Sequence, residues 1–214
     1  MTGFPRRGVY ALTRDSVLSI ESLLEDCELA LRGGVCVIQY RDKANDLQTK
    51  SEFASALVSL CHDYDVPCII NDHPQLVIEA QADGVHLGQN DTPYKDARKM
   101  LGPDRLIGVS CYSNVEKAQQ AARAGADYIA FGSFFPSQTK PHAPPCPLEV
   151  LNKQVPCPTV AIGGINSKNG QKLVDAGADL LAISAAIFTA PDRETAARRC
   201  ADIFKDQTPL AKGL

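Results

Sequence analysis

Eight short apolar runs recur along the chain: GVYALT (8–13), VCVIQYR (35–41), CIIND (68–72), GVHLG (84–88), LIGVSC (106–111), YIAFGSF (128–134), TVAIGGI (159–165) and LLAISAA (180–186). They are rich in β-branched residues and do not alternate polar with apolar. Runs of this kind are strands buried on both faces, as in a parallel sheet covered by helices. Most intervals between them carry helical spacing. Ile20, Leu23, Leu24, Cys27, Ala30 and Leu31 fall on one apolar stripe at i, i+3, i+4, i+7, i+10 and i+11, with Ser19 placed to cap it. Asp46 opens a segment carrying Phe53, Leu57, Leu60 and Cys61. Ser113 with Glu116 predicts a capping box ahead of Val115, Ala118, Ala121 and Ala122. A last stripe, Ala196, Ala197, Cys200, Ile203 and Phe204, follows Pro191. The shortest interval, between CIIND and GVHLG, still leaves room for a short helix over 75–81.

A similar junction occurs at Ala82-Asp83-Gly84, Gly125-Ala126-Asp127 and Gly177-Ala178-Asp179. Each closes a helix and opens a strand. Gly125 and Gly177 suit a helix C-cap, where the backbone often takes positive φ, and the aspartates can bond turn backbone. One supersecondary unit is therefore reused. Eight strands with seven or eight helices predict an α/β fold, a (β/α)8 TIM barrel, as a compact single domain over residues 1–214. A doubly wound open sheet is the alternative. It would use fewer strands, and no GxGxxG follows the first run.

Composition narrows the setting. The 214 residues are 44% hydrophobic, with a net charge of -3 and a pI of about 5.8. No general affinity for nucleic acid or an anionic membrane is expected, so any cationic site must be local. No run of about 18 apolar residues suggests a membrane span. The eight cysteines sit mostly inside apolar runs, and no CxxC has zinc spacing. With an N-terminal stretch that lacks a long apolar core, they read as small buried hydrophobes in a reducing cytoplasm. The oligomeric state is open, and a homodimer is compatible with the sequence.

In a barrel the active site lies at the C-terminal ends of the strands. Those ends are polar here. Run two leads to Gln39-Tyr40-Arg41-Asp42-Lys43, run three to Asn71-Asp72-His73, run four to Gly88-Gln89-Asn90-Asp91, and run five to Ser110. Run six leads to Ser137-Gln138-Thr139-Lys140, run seven to Gly163-Gly164, and run eight to Ser184-Ala185. One mouth thus gathers the cations Arg41, Lys43 and Lys140, the carboxylates Asp72 and Asp91, and glycine-rich turns of the kind that bind phosphate. If the strand continues, alternation points Gln39, Arg41 and Lys43 the same way. Two carboxylates plus cations around phosphate oxygens suggest a divalent metal–polyphosphate site, with Mg²⁺ held by the carboxylates, waters and phosphate. His86 lies mid-strand and reads as structural. The proline-rich segment from Pro136 to Pro147 reads as a loop that closes over substrates rather than as a linker.

Taken in order, QYRDK, CIINDHPQLVIEAQADGVHLGQND, IGVSC, FGSFFPSQTK, VAIGGI and the GAD-LLAIS segment resemble thiamine phosphate synthases over roughly residues 8 to 190. The resemblance implies an Mg²⁺-dependent transferase. It would join 4-amino-2-methyl-5-hydroxymethylpyrimidine diphosphate to 4-methyl-5-(2-phosphoethyl)thiazole and release pyrophosphate. Gln39, Arg41 and Lys43 match the family's QxRxK motif and Asn71 its ND asparagine, all at the pyrimidine diphosphate. Asp72 and Asp91 match the Mg²⁺ ligands, and Ser110 a serine near the reacting centre. Ser137 and Thr139 match hydroxyls of the loop that binds thiazole phosphate, Lys140 a lysine that reaches the pyrophosphate, and Gly164 an amide donor to thiazole phosphate. Ser184 and Ala185 correspond to the strand-eight phosphate contacts, although the family's (V/I)SA places its serine one position later. Ser110-Cys111-Tyr112 stands where the family often has Ser-x-His, and the loop after Lys140 is proline-rich rather than glycine and acidic. Two rival functions use the same barrel. A thiazole tautomerase would use a histidine near strand six, where this chain has Gly132-Ser133-Phe134. A non-catalytic phosphate-ligand sensor would not need the cations and both carboxylates.

Overall fold

A computed structural model of the chain describes residues 3–15, 19–136, 145–152 and 154–205. All eight apolar runs form strands: β1 (Gly8–Leu12), β2 (Val35–Tyr40), β3 (Cys68–Asn71), β4 (Gly84–Leu87), β5 (Leu106–Tyr112), β6 (Tyr128–Gly132), β7 (Thr159–Ile162) and β8 (Leu180–Ile183). They close into a parallel barrel in chain order, with β8 pairing back to β1. Closure removes the open-sheet alternative. Helices α1 (Ile20–Arg32), α2 (Leu47–Asp63), α3 (Pro74–Glu79), α4 (Tyr94–Leu101), α5 (Val115–Arg123), α6 (Gly170–Asp175), α7 (Ala185–Phe188) and α8 (Arg193–Ala201) follow in turn. Between β6 and β7 the described residues form only a 3₁₀ turn, Leu148–Val150.

The caps show why these helices begin where they do. The Ser19 hydroxyl accepts from the Ser22 amide, and the Asp46 carboxylate from the Thr49 amide at 2.8 Å. The expected Ser113 cap is displaced by one residue. Asn114 caps α5, its side-chain oxygen accepting from the Lys117 amide at 2.8 Å. Strand β5 runs on to Tyr112, so the chain turns later than the pattern suggests.

The repeated aspartates tie strands together. Asp83 accepts from the Cys68 amide, Asp127 from the Ile107 amide, and Asp179 from the Thr159 amide, at 2.8, 2.7 and 2.7 Å. In each case the amide of the same aspartate donates to the carbonyl of that same partner residue, at 3.0, 2.9 and 2.9 Å. Each aspartate thus pins the start of its own strand to the start of the preceding one, at the barrel end away from the site. Gly125 and Gly177 take the positive φ expected of them (99° and 107°), and Gln81 occupies the same place at φ 55°.

Side chains pack in two layers. Val9 and Ala11 face the helices, whereas Tyr10 and Leu12 join Val37, Ile69, Tyr128 and Leu180 inside the barrel. Phe4 stacks on Tyr128 with ring centroids 4.1 Å apart, placing an aromatic ring from the N-terminal arm against the barrel interior. Gly108 lies between His86 and Tyr128 in the strand register, and a Cβ there would collide with the Tyr128 ring.

Candidate active site

The exit of β2 is fixed by Thr13. Its amide donates to the Gln39 carbonyl at 3.0 Å, its hydroxyl accepts from the Arg41 amide at 2.8 Å, and the same hydroxyl donates to the Arg41 carbonyl at 3.0 Å. The strand ends at Tyr40, so simple alternation does not extend to residue 43. The three motif residues have different surroundings. Gln39 is 2% exposed within the barrel. The Arg41 guanidinium is ion-paired with Asp15. Lys43 Nζ stands 3.8 Å from Asp72 Oδ2. Asp42, between them, is a turn residue: it accepts from the Tyr40 hydroxyl and from the amides of Ala44 and Asn45.

Asp72 follows β3 in the left-handed region, at φ 65°, and its amide donates to the His86 carbonyl at 2.9 Å. Aspartate tolerates that backbone better than most residues because its short side chain can bond locally. Burial raises its pKa first, and the neighbouring Asp91 carboxyl, which shares a hydrogen bond with it, raises it further; Lys43 pulls the other way. Asp91 is held by the Gly88 amide at 2.6 Å. Two adjoining carboxylates, one of them reluctant to ionise, suit a hard divalent cation. Among the described residues no group of three or more His, Cys, Asp or Glu could hold a metal. A cation here would therefore take the rest of its shell from water and ligand oxygens, the habit of Mg²⁺. Asn71 ends β3 beside this pair, in register with His86.

Inside the barrel lies a hydrogen-bonded chain that the apolar-run pattern does not reveal. Gln39 Nε2 donates to the Tyr10 hydroxyl at 2.7 Å, and the Tyr10 and Tyr128 hydroxyls are 2.8 Å apart. Tyr128 Oη lies 3.0 Å from His86 Nδ1, and His86 Nε2 lies 2.9 Å from Ser110 Oγ. Burial lowers the His86 pKa to about 4, so the imidazole is neutral at neutral pH. Burial likewise pushes both tyrosines well above the usual phenol range. The available signal was polarity at inward positions of otherwise apolar strands. His86 is buried within this hydrogen-bonded chain and joins Ser110 to the barrel interior.

On the far side, Gly163 and Gly164 take positive φ, 107° and 61°. A Cβ on Gly163 would collide with the Ser133 hydroxyl, and one on Gly164 with the Pro136 carbonyl. The exits of β6 and β7 are thus locked together, helped by Phe134 N to Ile162 O and Phe135 N to Gly163 O, both 3.1 Å. Phe134 is buried and Phe135 half-buried, anchoring the base of the following loop. Ser184 and Ala185 form the β8 exit: Ser184 precedes α7, with no hydrogen bond from its side chain to the helix end, and Ala185 begins it. Ser137, Thr139 and Lys140 lie outside the described residues, as does most of the 136–147 segment.

The family profile described as thiamine monophosphate synthase matches residues 9–187. A thiamine-phosphate synthase of Thiobacillus denitrificans is 47% identical over 207 residues, covering 95% of this chain and 97% of the relative. One from Thioalkalivibrio sulfidiphilus is 42% identical, covering 95% and 98%. Among solved structures, thiamine phosphate pyrophosphorylase from Pyrococcus furiosus superposes with a TM-score of 0.81 at 33% identity, covering 92% of this chain and 95% of that one.

Proposed function

The chain belongs to the thiamine monophosphate synthase family, and from that premise we propose that it couples 4-amino-2-methyl-5-hydroxymethylpyrimidine diphosphate to 4-methyl-5-(2-phosphoethyl)thiazole, giving thiamine monophosphate and pyrophosphate. The observation that carries the site assignment is the Asp72–Asp91 carboxylate pair facing Lys43 at the C-terminal mouth of the barrel. It provides a cation site beside a lysine, which is what a departing polyphosphate requires. In this role residues 1–214 would act as one barrel domain in the cytoplasm on small molecules, without nucleic acid. Among the described residues no helix is long and apolar enough to cross a membrane.

The proposed chemistry is a dissociative substitution. The electron-rich aminopyrimidine stabilises a cation at its exocyclic carbon, so the carbon–oxygen bond breaks first and its electron pair leaves with pyrophosphate. Arg41, Lys43 and Lys140 neutralise the charge that develops on that leaving group. Mg²⁺, held by Asp72 and Asp91, would supply further charge neutralisation there. Gln39 and Asn71 bind the pyrimidine diphosphate, with Ser110 beside the reacting carbon. Gly164, Ser137, Thr139, Ser184 and Ala185 hold the thiazole phosphate, so that the ring nitrogen is placed to attack the cationic carbon. That nitrogen already carries its lone pair, so no general base is needed.

The deciding experiment is incubation of purified protein with both phosphorylated precursors and Mg²⁺, followed by mass detection of thiamine phosphate. Absence of product would overturn the reading. Arg41→Ala and Lys140→Ala are expected to lower turnover by about 10³-fold or more with the fold intact. Normal coupling by either variant would remove that residue from the site.

A further inference from the structure

The chain from Gln39 through Tyr10, Tyr128 and His86 to Ser110 crosses the barrel from β2 to β5 with four hydrogen bonds of 2.7 to 3.0 Å. Its interior is closed to solvent: Tyr10 is 1% exposed, Tyr128 0% and His86 8%. Each tyrosine has one proton to give, and a neutral imidazole has one donor and one acceptor nitrogen. Gln39 Nε2 donates to Tyr10, so the Tyr10 proton must go to Tyr128 and the Tyr128 proton to His86 Nδ1. His86 then carries its proton on Nε2 and donates to Ser110 Oγ. Any other assignment that keeps the first bond leaves a buried hydroxyl proton without an acceptor, at a cost of about 1–3 kcal/mol. The alternative is a full reversal. There Ser110 donates to His86 Nε2, His86 Nδ1 to Tyr128, Tyr128 to Tyr10, and Tyr10 to a Gln39 amide turned end for end. The tautomer of His86 and the orientation of the Gln39 amide are therefore one variable.

That variable has a chemical consequence at Gln39. In the direction seen here, no described residue donates to Gln39 Oε1, and Nε2 retains a second hydrogen. An amide so held offers an acceptor beside a donor. That pattern complements a ring edge carrying an amino group next to a ring nitrogen, as when glutamine reads adenine. A 4-oxo ring, with its carbonyl next to a ring N–H, needs the amide reversed, and hence all four bonds and the His86 tautomer reversed with it.

We propose that Tyr10, Tyr128 and His86 are positioning residues that lock the Gln39 amide in one orientation and thereby select an amino-pyrimidine over an oxo-pyrimidine. The selection rests on the proposed function, because Gln39 must meet the pyrimidine for it to operate. Gly108 supports the lock, since its missing side chain gives the Tyr128 ring its place beside His86.

Two measurements test this. Long-range proton–nitrogen NMR correlation of the four histidines, with His86 assigned by its substitution with Gln, should show His86 protonated on Nε2; protonation on Nδ1 would overturn the proposal. Calorimetric binding of 4-amino-2-methyl-5-hydroxymethylpyrimidine diphosphate and its 4-oxo counterpart, with Mg²⁺ and no thiazole, gives the preference ratio. Tyr128→Phe and Tyr10→Phe should each reduce that ratio about tenfold, with no further loss in the double variant. A merely structural role would weaken both ligands alike, and an unchanged ratio in the folded variants would refute the lock. Wild-type protein that binds neither diphosphate would instead refute the underlying function and leave the tautomer result to judge the chain. If the tyrosine variants fail to fold, the wild-type tautomer decides alone.

Discussion

Asp72 carries two local costs. It sits at φ 65°, where asparagine is at least as comfortable as aspartate, and its carboxylate adjoins that of Asp91. Its pKa is raised despite Lys43, so at neutral pH the folded state disfavours its charge. Removing that charge should therefore stabilise the metal-free protein. Asp72→Asn is expected to raise the thermal midpoint in EDTA while lowering coupling by about 10²–10³-fold. Thermal unfolding beside a turnover assay checks both halves, and a lower midpoint would mean that the Lys43 attraction outweighs the repulsion. Such trading of stability for function is common where binding groups are gathered before their ligand arrives. From the sequence, Asp72 and Asp91 were legible because one ends an apolar run and the other lies three residues past the end of the next. Their mutual contact was not, because it depends on the left-handed turn at 72 and on the Gly88 amide that holds Asp91.

At the scale of elements, the junction repeat makes a graded prediction. Gln81 sits where the other two junctions have glycine, and it pays for a left-handed backbone that glycine adopts freely. Gln81→Gly should stabilise the barrel by about 0.5–1 kcal/mol, less whatever its bonds to the Ile78 carbonyl and the Arg105 side chain return. Asp127→Ala should act in the opposite sense. It leaves the Ile107 amide without that acceptor and strips Arg98 of its carboxylate partner, though not of its bonds to the Gly102 and Arg105 carbonyls, for a loss of about 1–3 kcal/mol. Urea denaturation of both variants checks the signs. The aspartate repeat was readable as a recurring unit, but its partners were not, because each lies on a preceding strand about 15 to 20 residues away. The Asn114 cap and the end of β2 at Tyr40 were missed for a related reason. Local pattern places an element, whereas pairing with neighbouring strands sets its last residue.

The whole barrel was legible because eight runs buried on both faces leave few alternatives, and because polar residues mark the strand ends that become the mouth. What escaped the sequence is the barrel interior, where strands β1, β2, β4, β5 and β6 each contribute a polar group to one chain. That interior gives the molecule a pH response. His86 has a folded pKa of about 4, against about 6.5 when unfolded. Between those values the unfolded chain binds a proton that the folded barrel refuses. Its contribution to stability is therefore complete above about pH 6.5 and is lost as pH falls towards 4, by at most about 3 kcal/mol. Asp72 works in the opposite direction, since its raised pKa makes the folded state the better proton acceptor as pH falls. The two can be separated by working in the Asp72→Asn background. There, urea unfolding from pH 7 to 4.5 should show a stability decline that His86→Gln flattens, because glutamine keeps a donor and an acceptor in the interior without titrating. An equal decline in both proteins would place the proton uptake elsewhere in the unfolded chain and remove His86 as its source.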